Sequence, residues 1–152
     1  MKLSVRWLAV AAVCVFMAGC EGVVLSTVDA GGSVKLDGKP ADGVMLTLVP
    51  SEGVKGRGGY GLTEGDGSVV FHVDPETPGV PPGMYLVLAQ KLRMPDGSPV
   101  PPNTSGAEIS FKNELSPIYS DPGKSPLQLT VPPTGAKDIS VELVSRPQPK
   151  AK

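Results

Sequence analysis

Histidine, cysteine, aromatic side chains, net charge and long apolar runs are all scarce in this 152-residue chain. Each shortage removes a class of function. The formal net charge is −1, and setting aside Lys2 and Arg6 takes the side-chain total to −3, so the chain carries no basic footprint for DNA or RNA. The few aromatics after the first twenty residues, Tyr60, Phe71, Tyr85, Phe111 and Tyr119, are scattered. They build neither a base-stacking platform nor a broad aromatic strip for sugars. The longest apolar run, Trp7 to Met17, falls well short of the ~20 residues that span a bilayer as a helix. With Lys2 and Arg6 before it and the small pair Ala18-Gly19 after it, that run reads as a secretory signal over residues 1–19, removed in the mature protein.

The stretch after the run organises the functional reading. Met17-Ala18-Gly19-Cys20 resembles the lipobox of bacterial lipoproteins, with Met17 at the position where the family usually has Leu. The resemblance implies acylation of the Cys20 thiol, cleavage before it and acylation of the new N-terminus. Two or more acyl chains hold a protein on a membrane where one does not, each buried CH₂ adding about 0.8 kcal/mol. Glu21, where inner-membrane retention favours Asp, points to the outer membrane. Of the two cysteines, Cys14 lies in the cleaved run, so Cys20 has no disulfide partner and packing alone must hold the fold.

The chain holds 19 glycines and 17 prolines, a composition rich in turns. Residues 20–30 read as a tether. Two-residue alternation then begins: Val34 and Leu36 oppose Lys35 and Asp37, and the run stops at Asp37-Gly38, a tight-turn dipeptide. Val44, Leu46 and Leu48 share a second face, closed by Pro50. Asp66-Gly67 precedes Val69, Phe71 and Val73, with the glycine-rich stretch Arg57 to Thr63 as the expected partner strand. After Pro81-Pro82-Gly83, Tyr85, Val87 and Ala89 alternate with Met84, Leu86, Leu88 and Gln90, so both faces are apolar. Leu127, Leu129 and Val131, then Ile139, Val141 and Leu143, give the last two strands. No helix is evident. The inward-facing set suits one modest core, and the expectation is an all-β chain, a single antiparallel seven-stranded β-sandwich of transthyretin-like or Ig-like type over residues 31–144, with a disordered tail at 145–152.

Three segments carry a further resemblance: Ser33 to Val44, Thr63 to Val69, and Pro82 to Val87 are similar in order and spacing to the carboxypeptidase regulatory-like domain, a transthyretin-like sandwich. Leu115 to Asp121, followed by Ser125-Pro126-Leu127, is similar to small bacterial lipoproteins built from little more than such a domain. This implies a domain that accompanies other components and performs no chemistry of its own. Hydroxyisourate hydrolases share the transthyretin fold, but their several histidines and Tyr-Arg-Gly-Ser terminus are missing here.

Other conspicuous residues read as structure. His72 and Asp74 share a strand face and could form a base with its orienter, although no Gly-x-Ser-x-Gly elbow or reactive cysteine accompanies them. Glu64-Gly65-Asp66-Gly67 lacks the spaced ligands of a calcium loop and suits a hairpin turn. Gly56 to Gly61 has no following helix to complete a phosphate cradle, and strand glycines mark a bulge or close backbone approach. Arg93 to Pro126, at residues 93–126, is longer than the ~12 to 15 residues beyond which loops tend to be functional or disordered. It reads as a cover over Leu86 and Leu88, pinned through a short strand at Glu108 to Lys112, or as a binding loop. The expected function is therefore a non-catalytic, lipid-anchored cell-envelope protein needing no cofactor or metal. Its partners are the membrane through Cys20 and an envelope protein or polysaccharide. The alternatives are a polysaccharide- or peptide-binding module using the 93–126 loop and, more remotely, a hydrolase of the same fold.

Overall fold

The computed structural model describes residues 26–51, 53–54, 56–101, 104 and 110–145. The signal segment 1–19, Cys20, Glu21 and the tail from Arg146 lie outside the described residues. So do Glu108 and Ile109.

The described chain is mostly β. Twelve strands run in order: β1 (Ala30–Leu36), β2 (Lys39–Pro40), β3 (Met45–Pro50), β4 (Gly59–Leu62), β5 (Ser68–Val70), β6 (His72–Asp74), β7 (Thr77–Pro78), β8 (Gly83–Gln90), β9 (Leu92–Arg93), β10 (Lys112–Asn113), β11 (Gln128–Val131) and β12 (Ala136–Leu143). A single 3₁₀ turn, Pro117–Ser120, is the one helical element among them, and no described helix is long and apolar enough to cross a membrane. One sheet has the order β11-β8-β3-β4-β6-β7, a second has β12-β1-β2 with β5 also on β1, and β9 pairs with β10 in a ribbon.

The alternation predicted from sequence sets which side chains turn inward. Val34 comes from β1, Leu46 and Leu48 from β3, Tyr85, Val87 and Ala89 from β8, Val131 from β11, and Leu143 from β12. All are at most 1% exposed, and residues of both large sheets belong to one hydrophobic cluster. The Asp37-Gly38 turn has φ of 52° and 79°, the left-handed pair that lets two strands reverse in two residues.

Two features depart from the sequence expectation. The first is the pairing of β1 with β12, which is parallel, in an arrangement expected to be antiparallel throughout. Parallel strands need a crossover rather than a hairpin, and here the whole of the intervening chain supplies it. Gly32 permits the register shift on β1, because a Cβ there would collide with the Ile139 carbonyl.

The second departure is at Phe71. The expected continuous strand from Val69 to Val73 is two strands in different sheets, β5 on β1 and β6 on β4. Phe71 is the pivot between them: its amide donates to the Ala30 carbonyl at 2.9 Å, its carbonyl accepts from the Gly79 amide at 2.9 Å, and its side chain is 0% exposed. Val70 turns outward where β5 leaves the pivot.

Pairing starts before β1, with Val28 bridging Val80. At the other end the Ser145 amide donates to Asp37 Oδ1 at 3.0 Å, tying the chain beyond β12 to the first hairpin.

Candidate functional site

Register lines up a face of the six-stranded sheet that is exposed at Met45, Thr47, Leu62 and Met84. Met45 stands opposite Leu62 on one side and Gln90 on the other. One row down, Thr47 stands between Tyr60 and Leu88, with His72 beyond Tyr60. Val49, Leu86 and Gln128 make the next row, and Met84 with Thr130 the last. Leu62 and Met84 are each 55% exposed, while Leu86 and Leu88 are half-buried. The face is apolar along β8 at Met84, Leu86 and Leu88 and at the Met45–Leu62 corner, has Thr47, Tyr60 and His72 in its middle row, and carries no acid or lysine in these rows. Contiguous apolar surface of this kind on a small domain is often a contact site.

At the Met45 end the face runs into a hollow of about 350 Å³, lined by Asp42, Leu62, Gln90, Leu92, Arg93, Pro99 and Val100 among others. Arg93 brings positive charge to its wall. The Arg93 Nε is buried and lies 3.5 Å from Glu114 Oε2, outside hydrogen-bond geometry, and the Lys91 ammonium reaches the same oxygen at 3.3 Å. Two cations thus share one carboxylate beside an apolar pocket. A second hollow, of about 430 Å³, lies at the other end of the strands against Asp29 to Gly32, Val70, Pro78, Gly79 and Lys137.

The segment 93–126 borders this face at its upper margin through Arg93, Pro99 and Val100, and its second half runs along the edge of β8. β11 pairs with β8 only as far as Leu86. Beyond that point Val87 donates its amide to Leu127, Ser125 Oγ donates to the Val87 carbonyl at 2.6 Å, and Ser120 Oγ donates to the Ala89 carbonyl at 3.3 Å. Asn113 completes the edge, its Oδ1 accepting from the amides of Lys91 at 3.0 Å and Leu115 at 3.1 Å. An open strand edge invites pairing with other chains, and these side chains occupy it. Leu115 and Tyr119, 0% and 6% exposed, pin the segment into the core. Of the expected short strand at Glu108 to Lys112, the described part is Ser110 to Lys112, and within it only Lys112 is in a strand, pairing with Arg93 in the β9–β10 ribbon.

The other predicted candidates resolve into local structure. His72 and Asp74 are not joined by a hydrogen bond. The Asp74 carboxylate serves its own turn, accepting from the Glu76 amide at 3.0 Å, and the Thr77 hydroxyl and that turn hold its pKa below the usual aspartate value. In the acidic turn, Asp66 Oδ1 accepts from the Ser68 amide at 2.9 Å. Asp96-Gly97-Ser98 repeats the same tripeptide and the same bond, again at 2.9 Å. Asp-Gly-Ser is here a turn device used twice, each carboxyl held below its ordinary pKa by the serine it binds. Among the glycines of Gly56 to Gly61, a Cβ on Gly61 would meet Val69 Cγ2 at 2.6 Å, the close approach expected of strand glycines. Among the described residues no cluster of three or more His, Cys, Asp or Glu is placed to hold a metal ion.

The sequence pattern points to Leu86, Leu88 and the 93–126 segment. It does not show Met45, Leu62 and Arg93 as neighbours, because cross-strand register brings them together. The chain matches no family model, no curated protein and no solved structure.

Proposed function

We propose that this chain is a non-catalytic, lipid-anchored protein of the bacterial cell envelope, attached through acylated Cys20 and presenting a transthyretin-like sandwich of the carboxypeptidase regulatory-like kind. The observation that carries the anchor is Met17-Ala18-Gly19-Cys20 directly after a positively started apolar run. Two features of the fold support the sandwich. Both large sheets contribute to one core, and the Tyr85 hydroxyl, at the start of β8, donates to the Pro81 carbonyl four residues upstream. That last bond resembles the tyrosine corner of Ig-like sandwiches.

The anchor also sets a distance. Ser26 lies six positions after Cys20, a reach of at most about 20 Å. The end bearing Val28 and Val80 is then held within reach of the membrane. Glu21 after the cysteine favours the outer membrane.

Palmitate labelling in a bacterial host tests the anchor: label on the wild type that disappears in Cys20→Ala supports it, and an unlabelled, freely secreted wild type overturns it. The hollow favours a second reading, a module that binds peptide or polysaccharide with Arg93, Pro99 and Val100 of the 93–126 loop against the exposed Met45 and Leu62.

A further inference from the structure

Among the described residues, strand β12 is an eight-residue edge with one side unpaired. It pairs on one side only, with β1, and stands at the end of its sheet. Among the described residues, no backbone bond from an element other than β1 reaches the stretch from Lys137 to Glu142. The remaining edges are treated differently. β7 and β2 are two residues long, β11 is four, and the free half of β8 is occupied by Ser120, Ser125 and Asn113.

The side chains on β12 alternate by chemistry. Ile139 and Val141 face the core, while Asp138, Ser140 and Glu142 are exposed. The ion pairs among the described residues involve Lys91, Arg93, Lys124 and Lys137 with Glu114, Asp121 and Asp29, so neither Asp138 nor Glu142 has one. Lys35 of β1 stands in register with Glu142 without forming an ion pair.

This pattern discriminates between partners. A second copy pairing antiparallel about Ser140 would set Asp138 against Glu142 twice, and like charges directly opposite destabilise a ladder. Sliding the register to avoid the clash shortens the ladder. An extended segment with basic residues four apart meets the opposite result, because each cation falls opposite one carboxylate. The residues between them add apolar side chains beside Ile139 and Val141.

We infer that the β12 edge is a docking site for an extended basic polypeptide segment of the pattern basic–apolar–polar–apolar–basic, added as a strand to the β1 sheet. Main-chain bonds supply affinity in such strand addition, and alternate side chains supply selectivity. Docking at this edge does not depend on the lipid anchor.

The test uses the full chain in detergent and two synthetic probes, one with the core Lys-Val-Thr-Val-Lys and one with Glu-Val-Thr-Val-Glu. The lysine probe is expected to bind at least tenfold more tightly and to slow amide exchange within residues 137–142. Replacing Asp138→Lys and Glu142→Lys together should invert the preference while leaving the melting transition in place. Equal binding of the two probes, protection confined to another part of the molecule, or a preference unchanged by the charge reversal would each overturn the proposal.

Discussion

The Tyr85 hydroxyl donates a 2.6 Å hydrogen bond to the Pro81 carbonyl, inside the core, from a ring that is 1% exposed. Burial disfavours the phenolate and raises the Tyr85 pKa above its ordinary 10.0. The Tyr119 hydroxyl accepts from the Val144 amide at a longer 3.3 Å, beside a residue that is 56% exposed. The two tyrosines look alike in sequence and differ in what replaces their bond.

Removing the Tyr85 hydroxyl strands a buried carbonyl, whereas water can reach the Val144 amide. Tyr85→Phe is therefore expected to cost about 1–3 kcal/mol and Tyr119→Phe below about 1 kcal/mol. Urea unfolding of the two variants measures the difference, and equal losses would contradict this assignment of the corner.

The second half of the 93–126 segment, from Lys112 on, is built into the fold. Excising it removes Leu115 and Tyr119 from the core and uncovers the β8 edge, so the expected outcome is loss of cooperative unfolding. Ser125→Ala probes the edge alone. It leaves the Val87 carbonyl without its 2.6 Å donor and should cost about 1 kcal/mol, with Ser120→Ala costing less because its bond is 3.3 Å. A deletion variant that still folds and has lost only peptide or glycan capture would favour the binding-module reading.

Phe71 holds the two sheets together where the chain crosses between them. Phe71→Ala should cost about 3–5 kcal/mol, in the range for truncating a fully buried aromatic. Val70→Ala, one residue away at an exposed position, should stay within about 0.5 kcal/mol. Thermal or urea midpoints for the pair check that the pivot matters and its neighbour does not.

Acid should weaken the fold through its turns. The carboxyls of Asp37, Asp66, Asp74, Asp96 and Asp121 are all held below their ordinary 3.8. The causes are hydrogen bonds from Ser145, Ser68, Thr77, Ser98 and Lys124 respectively. Each binds its proton more weakly folded than unfolded, so its stabilisation is complete above the unfolded value and is lost as pH falls through the folded one. The melting temperature should hold level above about pH 5 and drop below about pH 4. Asp37→Asn should flatten part of that drop, and a melting temperature that rises on acidification would contradict the assignment.

Much of this fold is legible in the sequence because its signals are local. The alternation at Val44, Leu46 and Leu48, the turn at Asp37-Gly38 and the inward set at Tyr85, Val87 and Ala89 each need only a few consecutive residues. The features that escape are set by distant partners. Alternation from Val69 to Val73 runs unbroken through Phe71, so the change of sheet leaves no mark on the period. The parallel β1–β12 pairing depends on which of two similar strands lies beside Val34. The apolar face and its hollow are half visible: Leu86 and Leu88 announce a second apolar side of β8, while Met45, Leu62 and Arg93 join it through register alone.

Intact-mass measurement of the membrane-extracted protein tests the lipid anchor most directly. The expected species is a mature chain beginning at Cys20 and heavier than its polypeptide by a diacylglyceryl group and an N-linked acyl chain, with Cys20→Ala retaining residues 1–19. A wild-type mass equal to an unmodified polypeptide would contradict the anchor.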